Sequence, residues 1–175
     1  MVKVYGAFSL SDIRQSMVKS SHDEQAIRKT LNYLKLGNPH VEFSYQGFTS
    51  NSKYQLVSCR DLFNSFVLIY GVKRAPSSET LLINAEFTLS NTERMFLKGF
   101  ASPTSEEGSK KHLYVNSFHL AAPCELMSEM SRLFKKKFPK AANVDWVLFL
   151  NLPPDLVDLN VSYSKDAAIF QVCGL

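Results

Sequence analysis

The sequence has 175 residues, 45% of them hydrophobic, with thirteen Phe and seven Tyr beside a single Trp. Such a chain buries an ordinary globular core without cross-links, so we expect one α+β domain over residues 1–175 with an aromatic-rich sheet. The formal net charge of +4 permits contact with nucleic acid or an anionic membrane without demanding it. Cys59, Cys124 and Cys173 are odd in number and scattered, which argues against a disulfide framework or a zinc site and fits a reducing compartment. The N-terminal residues lack the pattern of a secretory signal, and Pro153-Pro154 cuts short the apolar run before it, so no bilayer-spanning segment is expected.

Residues 1–10 carry Val2, Val4, Tyr5, Phe8 and Leu10, and read as a short strand or as an arm that docks on another copy. Helix signals follow at Ser11-Asp12, and Ser21 with Glu24 forms a capping box ahead of an Ala26, Ile27, Leu31, Leu34 stripe. Gly37-Asn38-Pro39 ends that helix. From Val41 to Phe48 the pattern alternates, as it does again from Tyr54 to Val57 and from Thr80 to Leu89. Between the second and third of these, Ser58 and Asp61 suggest a capped helix from Cys59 to Tyr70, closed by Gly71. We expect this strand, helix, turn and strand to form the core.

Arg94 to Ala101 and Leu113 to Leu120 read as further strands. The segment from Ser102 to Lys111 has no apolar period, so it is expected to be a mobile, protease-sensitive loop. Pro123 opens a helix whose face is Leu126, Met127, Met130, Leu133, Phe134 and Phe138. Val144 to Leu150, Leu156 to Tyr163 and Ala167 to Cys173 are expected to be three closing strands.

Nothing here points to catalysis, a cofactor or a metal. The seven Gly are isolated from one another, so no phosphate loop is present, and His22, His40, His112 and His119 have no metal spacing. His119 reads as a satisfied strand histidine. Cys59 has an activating position at a helix N-terminus but no His partner. The cations are more informative. Lys73 and Arg74 sit at a turn tip, Lys110 and Lys111 end the loop, and Lys135, Lys136, Lys137 and Lys140 crowd a helix end. One or two lysines would offset the helix dipole. The surplus, with Phe134 and Phe138 interleaved, suggests an anionic partner such as RNA or lipid phosphates. Base-stacking motifs are absent, so any reading of RNA would be sequence-indifferent.

The order from the first strand through Ser50-Asn51, Tyr54, Ser58, the helix, Gly71 and Lys73-Arg74-Ala75-Pro76 to an alternating strand resembles the central part of rhabdovirus matrix proteins. The resemblance covers about fifty residues. A long lysine-rich N-terminal tail and a proline-tyrosine budding motif are missing, since Pro153-Pro154-Asp155-Leu156 lacks the Tyr, which points toward a plant cytorhabdovirus type. The resemblance implies a structural protein of the virion, lying between envelope and nucleocapsid and found in host cytoplasm and on inner membrane surfaces. Its partners would be itself, through Val2 to Leu10, the viral nucleocapsid, and an anionic membrane surface. Two other readings stand beside it: a cytosolic RNA-binding viral protein (a silencing suppressor or movement factor), and an enzyme with a dispersed active site.

Overall fold

The computed structural model describes residues 20–46, 53–88, 93–121, 124–158 and 168–170. The expected arm, the Ser11-Asp12 helix start, Pro123 and Cys173 lie outside them. The chain divides into two compact units, Met1–Cys59 and Arg60–Leu175. Among the described residues no helix is long and apolar enough to cross a membrane.

In the first unit, α1 (Ser20–Gly37) is followed by a hairpin of β1 (Phe43–Gln46) and β2 (Lys53–Leu56), with Phe43 opposite Leu56 and Tyr45 opposite Tyr54. Ser21 falls inside α1, so the helix begins ahead of the capping box read from the sequence. The hairpin is tied to the helix by Tyr54, whose hydroxyl donates to Asn32 Oδ1 at 2.6 Å. Lys35 is fully buried and donates its Nζ to the carbonyls of Pro39 and Val41 at 2.6 and 2.7 Å. Burying an ammonium is tolerable only because those carbonyls replace water.

The second unit is built on a five-stranded sheet: β3 (Leu81–Thr88), β4 (Arg94–Thr104), β5 (Lys111–Val115), β6 (Phe118–Leu120) and β7 (Asn143–Asn151). Its strand order is β3-β4-β7-β5-β6, antiparallel throughout except for the parallel pairing of β5 with β7. The fold class is therefore α+β with a mostly antiparallel sheet. Contrary to the expectation of one shared core, the strands of the 41–89 stretch lie in different sheets: β1 pairs with β2, and β3 with β4.

Alternation gives this sheet two buried faces. On one, Ala101, Leu113, Val115, Trp146, Leu148 and Leu150 form the main core with Phe134 of α3 (Glu125–Lys137). The Phe134 and Trp146 ring centroids lie 6.1 Å apart. On the other, α2 (Leu62–Tyr70) sets Phe66 edge-on to Phe100 at 5.3 Å and stacks Tyr70 on His112 at 5.6 Å. Fully burying one such large apolar side chain contributes roughly 1.5–3 kcal/mol.

Several boundaries differ from expectation, each for a local reason. α2 starts at Leu62 rather than Cys59, because Asp61 caps it by accepting from the Asn64 N–H at 2.9 Å. Ser58 instead donates to the His40 carbonyl at 2.9 Å, and Cys59 lies ahead of the Asp61 cap rather than in the first turn of the helix. The strand expected from Leu113 to Leu120 is a tight hairpin, turning at Asn116 (φ 47°) and Ser117 (φ 71°). β4 runs on through Thr104, so part of the expected loop is strand. Past β7, Pro154–Leu156 is a short 3₁₀ turn, and only β8 (Val157–Asp158) and β9 (Ile169–Phe170) pair among the described residues.

Candidate anion-binding site

The Lys110-Lys111 pair straddles the start of β5, where successive side chains leave on opposite faces. Lys110 turns toward α2, its Nζ 5.6 Å from the centre of the Tyr70 ring, a cation–π contact. Lys111 turns to the α3 side, opposite Trp146 in the parallel register. There it lines a pocket of about 200 Å³ with Ser109, Ser131, Lys135, Asn143 and Trp146. Two cations from distant parts of the sequence are thus brought together.

α3 places the rest. Its apolar stripe, Leu126, Met127, Met130 and Phe134, packs on the sheet, and Lys135, Lys136 and Lys137 fill its last turn. The backbone N–H of Phe138 closes the helix on the Phe134 carbonyl at 2.9 Å. Lys135 folds forward, donating its Nζ to the Ala141 carbonyl and, at 3.5 Å, to that of Ala142. Those bonds fix its charge at the pocket edge. Lys136, Lys137 and Lys140 are exposed. Lys140 lines a separate, shallow groove with Ser77, Glu79 and Thr104.

Arg74 is not a surface contact, contrary to the expectation for the Lys73-Arg74 turn. It lies in a 3₁₀ turn, Val72–Arg74, and is 8% exposed. Its Nη1 donates to both Asp145 oxygens at 2.9 Å, and its Nη2 donates to the Glu107 carbonyl at 2.5 Å. Asp145 Oδ1 also accepts from the Lys110 backbone N–H at 2.7 Å. The segment expected to be a mobile loop is therefore hydrogen-bonded at Glu107 and Lys110. Asn143 adds a third tie, its Nδ2 donating to the Glu106 carbonyl at 3.0 Å. Lys73 stays exposed.

A second cluster, not anticipated from spacing, joins α2 to β5 and β6. Tyr70 Oη lies 2.6 Å from His112 Nε2, and His112 Nδ1 lies 3.0 Å from His119 Nε2. With His112 neutral, both contacts are satisfied when Tyr70 donates to Nε2 and Nδ1–H donates to His119. Burial first, then the repulsion a proton on His112 would meet from His119 and Lys110, pushes His112 from 6.5 down to about 3. The ring is neutral in the folded protein across the physiological range. Among the described residues no group of three or more His, Cys, Asp or Glu is placed to hold a metal.

Sequence reasoning missed Asp145, Trp146 and the histidine pair. Asp145 had a signal, a carboxylate inside an otherwise apolar strand, which calls for a buried cation. The histidine pair had none, because it depends on a hairpin turn read as continuous strand.

The sequence matches no family model and no curated protein. Solved structures are similar in fold. The N-terminal domain of a DNA repair protein has a TM-score of 0.63 at 15% identity, over 93% of this chain and 53% of that one. A mutant of the Aquifex aeolicus MutL ATPase domain has a TM-score of 0.53 at 18% identity, over 84% of this chain and 50% of that one. This chain spans about half the length of each. The similarity is one of fold.

Proposed function

We propose that this chain is a module of a DNA-repair protein of the ATPase type, and that it holds nucleic-acid phosphates through the lysines at the end of α3 without reading sequence. The observation that carries this reading is the fold likeness over 93% of the chain to a DNA repair protein's N-terminal domain. The exposed Lys136, Lys137 and Lys140 supply the chemistry, since flexible ammonium groups meet phosphates as point charges and release counterions. Hydrolysis of a nucleotide is not assigned to this stretch alone. It would belong to the remainder of a domain of which the chain spans about half.

The matrix reading is the alternative proposal. It draws on the same lysines and on Val2 to Leu10, outside the described residues, and one experiment separates the two. DNA binding and binding to acidic vesicles are measured across a salt series for wild type and for a Lys136→Gln, Lys137→Gln, Lys140→Gln triple variant. The DNA-repair reading expects DNA binding whose log–log salt slope flattens by about 0.9 for each phosphate that the variant no longer neutralises. The variant keeps its fold, because exposed charges contribute little to stability. Vesicle binding without DNA binding would overturn the reading in favour of the matrix one.

A further inference from the structure

We propose that the free edge of β3 joins two copies of this chain, strand to strand and antiparallel, so that their five-stranded sheets run on as one. β3 is the outer strand of its sheet and pairs with β4 alone among the described residues. Half of its backbone N–H and C=O groups therefore point away from β4, with no strand to meet them. The two edges of the sheet differ in kind. β6 is only three residues long, which leaves little edge to pair. β3 runs for eight residues, and its register holds without a bulge from Leu81 opposite Ala101 to Thr88 opposite Arg94. It contains no Pro and no Lys. Its one charged residue, Glu86, is held by Arg94 of β4 at 2.6 Å. Leu82 and Phe87 stand 67% and 44% exposed on it. Native proteins guard an open edge with a short strand, a bulge, a proline or a lysine, and β3 has none of these.

A second copy fits because the strand is complementary to itself. Antiparallel pairing across a two-fold axis at Ala85 sets Ile83 opposite Phe87 of the second copy, a β-branched side chain against an aromatic one. On the other face it sets Asn84 opposite Glu86 and Leu82 opposite Thr88. The Asn84 amide then donates to a carboxylate whose charge Arg94 already meets, and no two like charges face each other. Moving the axis to Asn84 would set Glu86 against Leu82, so the charge pattern selects Ala85. The core-side face of one sheet continues into that of the other.

The contact involves neither the lysines at the end of α3 nor DNA, so it is judged separately from the function proposed above. Sedimentation of the full chain over a concentration series, without DNA, should show a monomer–dimer equilibrium. Hydrogen exchange should find the β3 amides slower at the concentrations where the dimer forms. Leu82 and Thr88 are both exposed, so each accepts a polar replacement in the monomer. Leu82→Lys with Thr88→Lys sets ammonium groups opposite each other twice per dimer, and should weaken association on the order of tenfold or more. Leu82→Lys with Thr88→Glu sets opposite charges at the same two places, and should bring association back close to wild type. Circular dichroism checks that both variants fold. A chain that stays monomeric throughout overturns the proposal, as does a dimer that both variants form equally well. Exchange of the β3 amides that does not depend on concentration overturns it whatever the variants do. Slow exchange of that kind would mean that another segment of the same chain covers the edge.

Discussion

At the scale of single residues, Gly99 carries a demand that its neighbours do not. It sits in β4 with φ +144°, and a Cβ built there would lie 2.0 Å from the Val147 carbonyl oxygen. Both the conformation and the close approach of β7 exclude a side chain. Gly99→Ala should therefore force the central β4–β7 pair apart and cost about 3 kcal/mol or more. Gly108, at φ +67° with nothing within 4 Å, is the internal control. There the alanine change carries only the backbone penalty, about 1 kcal/mol. Urea midpoints of the two variants would separate the causes. Equal shifts would show that the β7 backbone yields and that conformation alone matters. The glycine was visible in the sequence as an interruption of an alternating strand, but only pairing reveals which carbonyl it faces.

At the scale of elements, alternation and helical spacing were legible wherever one face is buried and the other wet. β3 turns Leu81, Ile83 and Ala85 inward and α3 packs Leu126, Met127, Met130, Phe134 and Phe138 on the sheet as the pattern suggests, but Leu133, counted in the same face, is 48% exposed. What stayed hidden was long-range. Lys73 and Arg74 look alike in sequence, yet one is exposed and the other buried against a carboxylate on β7. The Lys111–Lys135 pocket was half legible, since both lysines stood out, while the strand register that joins them did not. The same Arg74–Asp145 pair explains why the 105–110 connection is held rather than loose. Replacing Asp145 with Asn leaves a buried guanidinium without its counter-charge, a loss of roughly 3–5 kcal/mol. It also weakens the acceptor of the Lys110 N–H. Limited trypsin digestion should then cut Asp145→Asn first at Lys110 or Lys111, well before wild type is cut there. Unchanged digestion and an unchanged urea midpoint would mean that the pair contributes little beyond its own geometry.

At the scale of the whole molecule, the Tyr70–His112–His119 chain makes stability depend on pH. It links α2 to β5 and the edge strand β6, so its protonation acts on the packing of one entire sheet face. His112 binds a proton near 6.5 when unfolded but only near about 3 when folded, because burial and then the neighbouring His119 and Lys110 disfavour the cation. Between those values the unfolded chain holds a proton that the folded chain does not. Stability therefore falls as pH drops from about 6.5 toward about 3, and is fully present above about 6.5. Within that window the slope from this one group reaches about 1.4 kcal/mol per pH unit. Carboxylates also titrate there, so the informative quantity is the difference between wild type and His112→Gln. Glutamine keeps polar atoms beside Tyr70 and His119 and cannot gain a proton. Urea midpoints at several pH values should show wild type losing its advantage over the variant as the solution is acidified. A difference that stays flat from about pH 7 to about pH 4 would mean that His112 takes up its proton in the folded state as readily as in the unfolded one. The neutral arrangement of the chain would then be wrong.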